Sequence, residues 1–374
     1  MSVNSKLGNL VRLGDYIELC DERNSSEEYT LDDIRGISTE KKFIDTKANL
    51  DGVSLTAYKV AHKDEFAYVS DTSRRGDKIA LALNSTDKPV LISSIYTTFR
   101  SIDRKQLLPE YLYLFFSREE FDRFSRFNSW GSARETFDWS EFCRIEIPLP
   151  DIEVQKELVD TYNGLKALAE QNEALIKPLT EACQAYIVDC KKKYPEVKLG
   201  GYIDFYSEKN SDCQITLEQG INIDKVFINP HRPNSDLSSR IIVRKGQFAY
   251  CTQLNNENVA IAYREGEDCV VSPVYKAFEI KQEFKDKLLP EYLFLWLKRQ
   301  EFGRYVYWRS VGSAYEFLQE ENIREYKIPI PSPEVQKAII DVYNCAEEAK
   351  RIATEAREKM KTLCPALVQR AING

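Results

Sequence analysis

Leu107-Leu108-Pro109-Glu110-Tyr111-Leu112 recurs as Leu288-Leu289-Pro290-Glu291-Tyr292-Leu293, 181 residues further along the chain. The offset persists. Gly131-Ser132-Ala133 returns as Gly312-Ser313-Ala314, Ile147-Pro148-Leu149-Pro150 as Ile328-Pro329-Ile330-Pro331, and Glu153-Val154-Gln155-Lys156 as Glu334-Val335-Gln336-Lys337. Between residues 129–163 and 310–344, 15 of 35 positions are identical without a gap, so the chain is an internal duplication. Upstream, Leu13-Gly14-Asp15-Tyr16-Ile17 answers Leu199-Gly200-Gly201-Tyr202-Ile203 at an offset of 186, so the intervening segments differ in length.

Between these landmarks the halves diverge. Residues 67–85 (AYVSDTSRRGDKIALALNS) and 249–268 (AYCTQLNNENVAIAYREGED) share an alternation of apolar and polar positions but not the polar residues themselves. A common framework therefore carries two different surfaces. Each half opens with short alternating runs rich in Val, Ile, Tyr and Phe, over residues 1–150 and 196–331, which predicts an α+β domain. Each then continues into one long helix, over 151–195 and 332–374. Pro148 and Pro150 end the first domain, and Ser332-Pro333 supplies an N-cap and a first-turn proline for the second helix.

In the first helix Leu158, Tyr162, Leu165, Ala169, Asn172, Ile176, Leu179, Cys183, Tyr186 and Cys190 fall at alternating steps of four and three. Val342, Ala346, Ala349, Ala353, Ala356, Met360, Leu363 and Leu367 do so in the second. This spacing predicts a coiled-coil seam. The duplicated geometry predicts that the two helices pair antiparallel, with pseudo-twofold internal symmetry. Pro178, inside the first helix, is expected to kink or interrupt it.

The 374 residues, 43% of them hydrophobic, suffice for more than one core. No stretch approaches the ~18 apolar residues of a membrane span, and the N-terminus lacks the apolar segment of a signal peptide, so a cytoplasmic protein is expected. Nine scattered cysteines without C-x2-C spacing read as reduced thiols, and two histidines leave little material for imidazole catalysis or metal binding. The net charge of −7 argues against holding nucleic acid by charge alone. Much of that acidity is local, with eleven acids against five bases in residues 14–51. Residues 228–253 and 296–315 each carry four bases against one acid, which suits either a phosphate-facing surface or ordinary solvated charge.

The order of these elements, duplicated at a domain-sized interval over nearly the whole chain, resembles the specificity subunits of type I restriction-modification systems. The helix starts Glu153-Val154-Gln155 and Glu334-Val335-Gln336 depart slightly from the Glu-Gln usual in that family. The resemblance implies two target-recognition domains, each reading one half of a split double-stranded DNA target. It also implies helices that set the spacing and dock two methyltransferase subunits, to which motor-nuclease subunits add. S-adenosylmethionine, ATP and Mg²⁺ would then belong to those partners, with no cofactor on this chain and no catalysis by it. The sequence agrees: it has no G-x-x-x-x-G-K-[ST], and its Asn229-Pro230 continues His231-Arg232 rather than an adenine-methyltransferase motif.

Base edges are read by Arg, Lys, amide and hydroxyl side chains. In the first domain the candidates are Arg74 and Arg75 in the polar turn 70–78, with Arg126, Ser129, Ser132 and Arg134 around the Gly-Ser loop. In the second they are Gln253, Asn255, Asn256, Arg309, Ser313 and Tyr315. The amide cluster reads equally as a solvated hairpin tip, and the Gly-Ser loop as a turn kept for its glycine. Trp130, Trp139, Trp296 and Trp308 are expected in packing rather than base stacking. A stand-alone DNA-binding or decoy protein built from the same domains is the competing function, separable by whether methyltransferase and helicase-nuclease genes lie alongside. A hydrolase lacks a nucleophile motif.

Overall fold

The computed structural model describes residues 10–46, 50, 52–72, 78–131, 135–230, 232–254, 257–310 and 317–373, with side chains described as far as residue 363. The first half forms, in chain order, β1 (Leu10–Arg12), β2 (Ile17–Cys20), β3 (Arg35–Ile37), β4 (Phe43–Asp45), β5 (Lys59–Ala61), β6 (Glu65–Tyr68), β7 (Leu81–Leu83), β8 (Val90–Ile92) and β9 (Thr97–Ser101). Helices α1 (Pro109–Phe116), α2 (Glu119–Phe127) and α3 (Trp139–Phe142), strand β10 (Glu146–Pro148) and the long α4 (Ile152–Lys193) complete it. The second half repeats this order. Its strands are β11 (Glu196–Lys198), β12 (Ile203–Tyr206), β13 (Gly220–Ile221), β14 (Phe227–Ile228), β15 (Ile241–Val243), β16 (Phe248–Cys251), β17 (Ile261–Tyr263), β18 (Cys269–Val271) and β19 (Tyr275–Ile280). Then come α5 (Pro290–Lys298), α6 (Gln300–Arg309), α7 (Glu320–Glu325), β20 (Lys327–Pro329) and α8 (Pro333–Asn373). The chain divides into two compact units, Met1–Gln171 with Ile352–Gly374, and Asn172–Arg351, so each long helix contributes to both.

An antiparallel four-stranded sheet is the centre of each unit, in the order β2-β9-β6-β7 in one and β12-β19-β16-β17 in the other. Its inner strands carry Phe66-Ala67-Tyr68 and Phe248-Ala249-Tyr250, all buried, which is why they lack the polar alternation of a half-exposed strand. Phe66 sits opposite Phe99, and Phe248 opposite Phe278, with rings stacked at 4.8 and 4.9 Å. Phe116 of α1 packs edge-on to both rings of the first stack, at 5.7 and 6.2 Å, and Phe294 of α5 lies 6.3 Å from Phe248, while Leu112, Leu293 and Trp296 are buried in the same cores.

The repeated motifs turn out to be joints between each domain and its long helix. Gln155 and Gln336 are fully buried. Gln155 Oε1 accepts from Leu108 N at 2.9 Å, while its Nε2 donates to the carbonyls of Gln106 and Pro150, both at 2.8 Å. Gln336 repeats the clamp on Leu289 N at 2.9 Å and on the carbonyls of Lys287 and Pro331, both at 2.7 Å. Tyr111 Oη donates to Pro148 O at 2.8 Å and Tyr292 Oη to Pro329 O at 3.0 Å. The Leu-Gly pair closes the joint: a Cβ on Gly14 would lie 2.7 Å from Cys143 Cβ, and one on Gly200 2.9 Å from Arg324 Cβ. Only hydrogen fits there.

The helices follow the expected seam with two differences. Ala346, Ala349, Ala353 and Ala356 are all buried along α8, and Ala169, Cys183 and Cys190 along α4. Leu367 lies outside the described side chains. Tyr186 is 54% exposed, however, and Ile187 takes its place in the core. Ala169, Cys183 and Cys190 keep the heptad spacing, and Ile187 is buried one position beyond it. Pro178 does not end the helix. It deprives the Ala174 carbonyl of its i+4 donor. Two residues on, Thr180 Oγ1 donates to Ile176 O at 2.8 Å. The end of α4 packs near the start of α8, with Cys183 Sγ 3.9 Å from Ile339 O, as an antiparallel pair requires.

Candidate nucleic-acid interface

Two divergent segments meet at one end of the first domain. The chain leaving β6 is pinned by the chain returning from the Gly-Ser loop: Thr72 N donates to Glu135 O at 3.0 Å, and Phe137 N to Ser70 O at 2.8 Å. Trp130 and Thr136 exchange backbone hydrogen bonds at 2.9 and 3.1 Å across the mouth of that loop. The flanks of the polar turn and of the Gly-Ser loop are thus stitched together beside the C-terminal end of α2. Arg74, Arg75, Ser132 and Arg134, which sit on these segments, lie outside the described residues. The second domain uses the same joint, since Leu318 N donates to Thr252 O at 2.8 Å and Gln253 bridges to Phe317. Asn255, Asn256, Ser313 and Tyr315 likewise lie outside the described residues.

The remaining candidates differ in what they offer. Arg126, on the last turn of α2, is ion-paired with Glu135. Gln253 is exposed. Arg309 ends α6 with its guanidinium 5.6 Å from the centre of the Tyr305 ring, and its carbonyl accepts from Asn322 Nδ2 at 3.4 Å. Ser129 is buried, and its hydroxyl donates to Ser125 O at 2.6 Å, which closes the end of α2.

Two tryptophans depart from the packing role expected of them. Trp296 is fully buried, and Trp139 lies stacked on Phe142. Trp130, by contrast, is 67% exposed and Trp308 80%. Phe127, which sequence reasoning passed over, is also 80% exposed. The signal was present: the 181-residue offset pairs Phe127 with Trp308, each among arginines, Arg123 and Arg126 in one copy and Arg304 and Arg309 in the other.

The two basic segments are largely spent inside their domain. Arg240 pairs with Glu218 at 2.7 Å, Arg244 with Glu208 and Asp268 at 2.6 and 3.1 Å, and Arg299 with Glu301 at 3.1 Å.

Beneath each α2-type helix lies a lysine from a hairpin tip. Lys41 and Lys225 both adopt left-handed backbone, at φ 58° and 64°, where glycine is the easier residue. Their side chains explain the choice. Lys41 forms a buried ion pair with Asp122 on α2, whose carboxylate also accepts from Ile79 N at 3.2 Å. Burial pulls the Lys41 ammonium below its ordinary range, and the adjacent carboxylate opposes that. In the second copy Gly303 stands where Asp122 would be, and the backbone of Glu257 fills the place of its side chain. Lys225 instead donates to Leu297 O at 2.6 Å, at the end of α5. Burial first, then the neighbouring Lys298, pushes its pKa down to about 8.

Among the described residues no group of three or more His, Cys, Asp or Glu side chains is placed to hold a metal ion, and no helix is long and apolar enough to cross a membrane.

A family model described as the type I restriction modification DNA specificity domain matches the chain twice, over residues 26–181 and 191–344. The type I restriction enzyme MjaVIII specificity subunit of Methanocaldococcus jannaschii is 22% identical over 94% of this chain and 89% of its own length. The crystal structure of the S subunit of the type I restriction-modification system from M. genitalium aligns with a TM-score of 0.57 at 13% identity, covering 99% of this chain and 98% of that one. The HsdS subunit from Thermoanaerobacter tengcongensis aligns with a TM-score of 0.43 at 18% identity, covering 100% and 98%. The duplicated frame and the twofold match, covering most of the sequence, together establish that this chain belongs to the type I restriction modification DNA specificity family.

Proposed function

We propose that the chain is the sequence-reading subunit of a type I restriction-modification complex, in which each domain reads one half of a bipartite duplex target. One observation carries this reading: a frame repeated joint for joint holds two surfaces that differ in their polar residues, at the same stitched end of each domain. Two related but unlike readers in one chain suit a target made of two unlike halves. On this reading α4 and α8 set the distance between half-sites and dock two methyltransferase subunits, with motor-nuclease subunits joining them. S-adenosylmethionine, ATP and Mg²⁺ are held by those partners, in the cytoplasm, and this chain performs no chemistry. Arg126, Gln253 and Arg309, with Arg74, Arg75, Ser132, Arg134, Asn255, Asn256, Ser313 and Tyr315, supply contacts to base edges and phosphates.

Methylome sequencing of cells with and without the gene tests the function. A split motif should be methylated only when the gene is present, and the purified chain supplied with S-adenosylmethionine should transfer no methyl group. An unchanged methylome, or methyl transfer by the chain alone, overturns the proposal.

A further inference from the structure

We infer that Phe127 and Trp308 are equivalent wedge residues, one in each domain, that insert into the base stack of duplex DNA. The inference rests on the DNA-reading function proposed above.

The two side chains occupy the same register, on the last turns of α2 and α6, and both are 80% exposed. That coincidence stands out against their surroundings. Of the aromatic pairs on these helices, Phe121 and Phe302 are buried as part of the shared frame, and Phe124 and Tyr305 lie over the core edge. At the other outward positions Arg123 aligns with Arg304 and Glu120 with Glu301, whereas Arg126 aligns with Tyr307 and Asn128 with Arg309. Only at Phe127 and Trp308 do both copies set a large aromatic ring into water. Such a ring gains nothing for folding there, since its apolar surface stays wet.

Charge decides among occupants. Each ring has an arginine one turn back on its own helix, Arg123 or Arg304, with exposed side chains held by glutamates of the same helix at 3.4–3.8 Å. Such exposed pairs are weak and exchange readily for phosphate. Arg126 precedes Phe127 and Arg309 follows Trp308, so each helix end carries a second cation, the one paired with Glu135 and the other over the Tyr305 ring. Aromatic wedges flanked by cations that grip the backbone are how proteins part a base step and kink the duplex, and the cost of unstacking depends on the step. A wedge in each domain would therefore add to the recognition of each half-site at a position not read by hydrogen bonds. The two copies differ in size, indole against phenyl, so the steps they favour should differ.

The test uses the full chain at low ionic strength against a pool of random-sequence 40-bp duplexes. Wild type should enrich a bipartite motif. Phe127→Ala should weaken selection in one half and Trp308→Ala in the other, each lowering affinity for the enriched duplex roughly tenfold. Trp308→Phe and Phe127→Trp should keep most of the affinity while shifting the preferred step. Melting temperatures should not move, because both rings are exposed. 2-Aminopurine scanned through the enriched duplex should brighten at one step per half-site with wild type and stay quenched with the matching alanine variant. Alanine variants that bind as wild type, or 2-aminopurine that stays dark with wild type, overturn the wedge while leaving DNA reading intact. Variants that bind DNA normally but lose their co-purifying subunits overturn it in favour of protein docking. A wild-type chain that enriches no duplex overturns the DNA-reading function itself, and the wedge with it.

Discussion

Lys41 and Lys225 show how one position in a duplicated frame acquires opposite energetics. Each leaves a left-handed turn to reach under the helix that borders the candidate interface, but only Lys41 finds a carboxylate. Removing one member of a buried pair strands the other, so Lys41→Met should destabilise the chain at neutral pH by about 3 kcal/mol or more by leaving Asp122 uncompensated. Lys225 pays desolvation with no carboxylate partner among the described residues. Its folded pKa, about 8, lies below the ordinary value of 10.5, so between those values the unfolded chain binds the extra proton. Stability contributed by this group therefore rises as pH increases from about 8 to 10.5 and is absent below. Lys225→Met should be neutral or stabilising at pH 7, by ~1–2 kcal/mol, and should flatten that rise. Urea unfolding across pH 7–10.5 reads both variants. A large loss of stability in Lys225→Met would show that its bond to Leu297 outweighs its desolvation.

At the scale of elements, the long helices are anchored at their starts by glutamine clamps and carry alanine seams beyond them. A clamp with three hydrogen bonds on a fully buried amide fixes the angle at which α4 or α8 leaves its domain. A rigid exit is what a spacer needs. If α4 sets the distance between half-sites, four residues inserted after Glu170 add about 6 Å, at ~1.5 Å per residue, against ~3.4 Å per base pair of DNA. The unspecified gap in the methylated motif should lengthen by roughly one to two base pairs. Four residues turn the helix about 400°, which nearly preserves its face, whereas two turn it about 200° and should abolish activity by breaking the seam. An active four-residue variant with an unaltered gap would show that the helix does not measure the target.

For the whole molecule, the duplication separates what is shared from what is specific. The shared residues are joints and core: the Phe66–Phe99 and Phe248–Phe278 stacks, the tyrosine bonds to Pro148 and Pro329, the Leu-Gly closures. The segments after the inner strands and those around the Gly-Ser loops differ in sequence between the halves, and in each domain their described flanks are joined. Replacing residues 196–331 with the corresponding segment of another family member should therefore change one half of the methylated motif and leave the other. Methylome mapping of the chimera checks this, and a change in both halves, or in neither, defeats the modular reading.

The frame was legible in the sequence because a duplication writes each joint twice. The α+β domains, the two long helices and the alanine seam of α8 follow from repeated residues and local periodicity, which depend on neighbours along the chain. Other features depended on distant partners. Whether Tyr186 or Ile187 enters the core depends on the side chains packed against that turn from elsewhere in the fold, which a heptad count does not carry. Pro178 is tolerated because the rest of a 42-residue helix goes on making its bonds. The paired arginines of 228–253, Arg240 and Arg244, needed Glu208, Glu218 and Asp268, brought close only by folding. Exposure is likewise a tertiary property: sequence supplies the aromatic side chains of Phe127, Trp296 and Trp308, but only packing buries Trp296 and leaves the other two facing water.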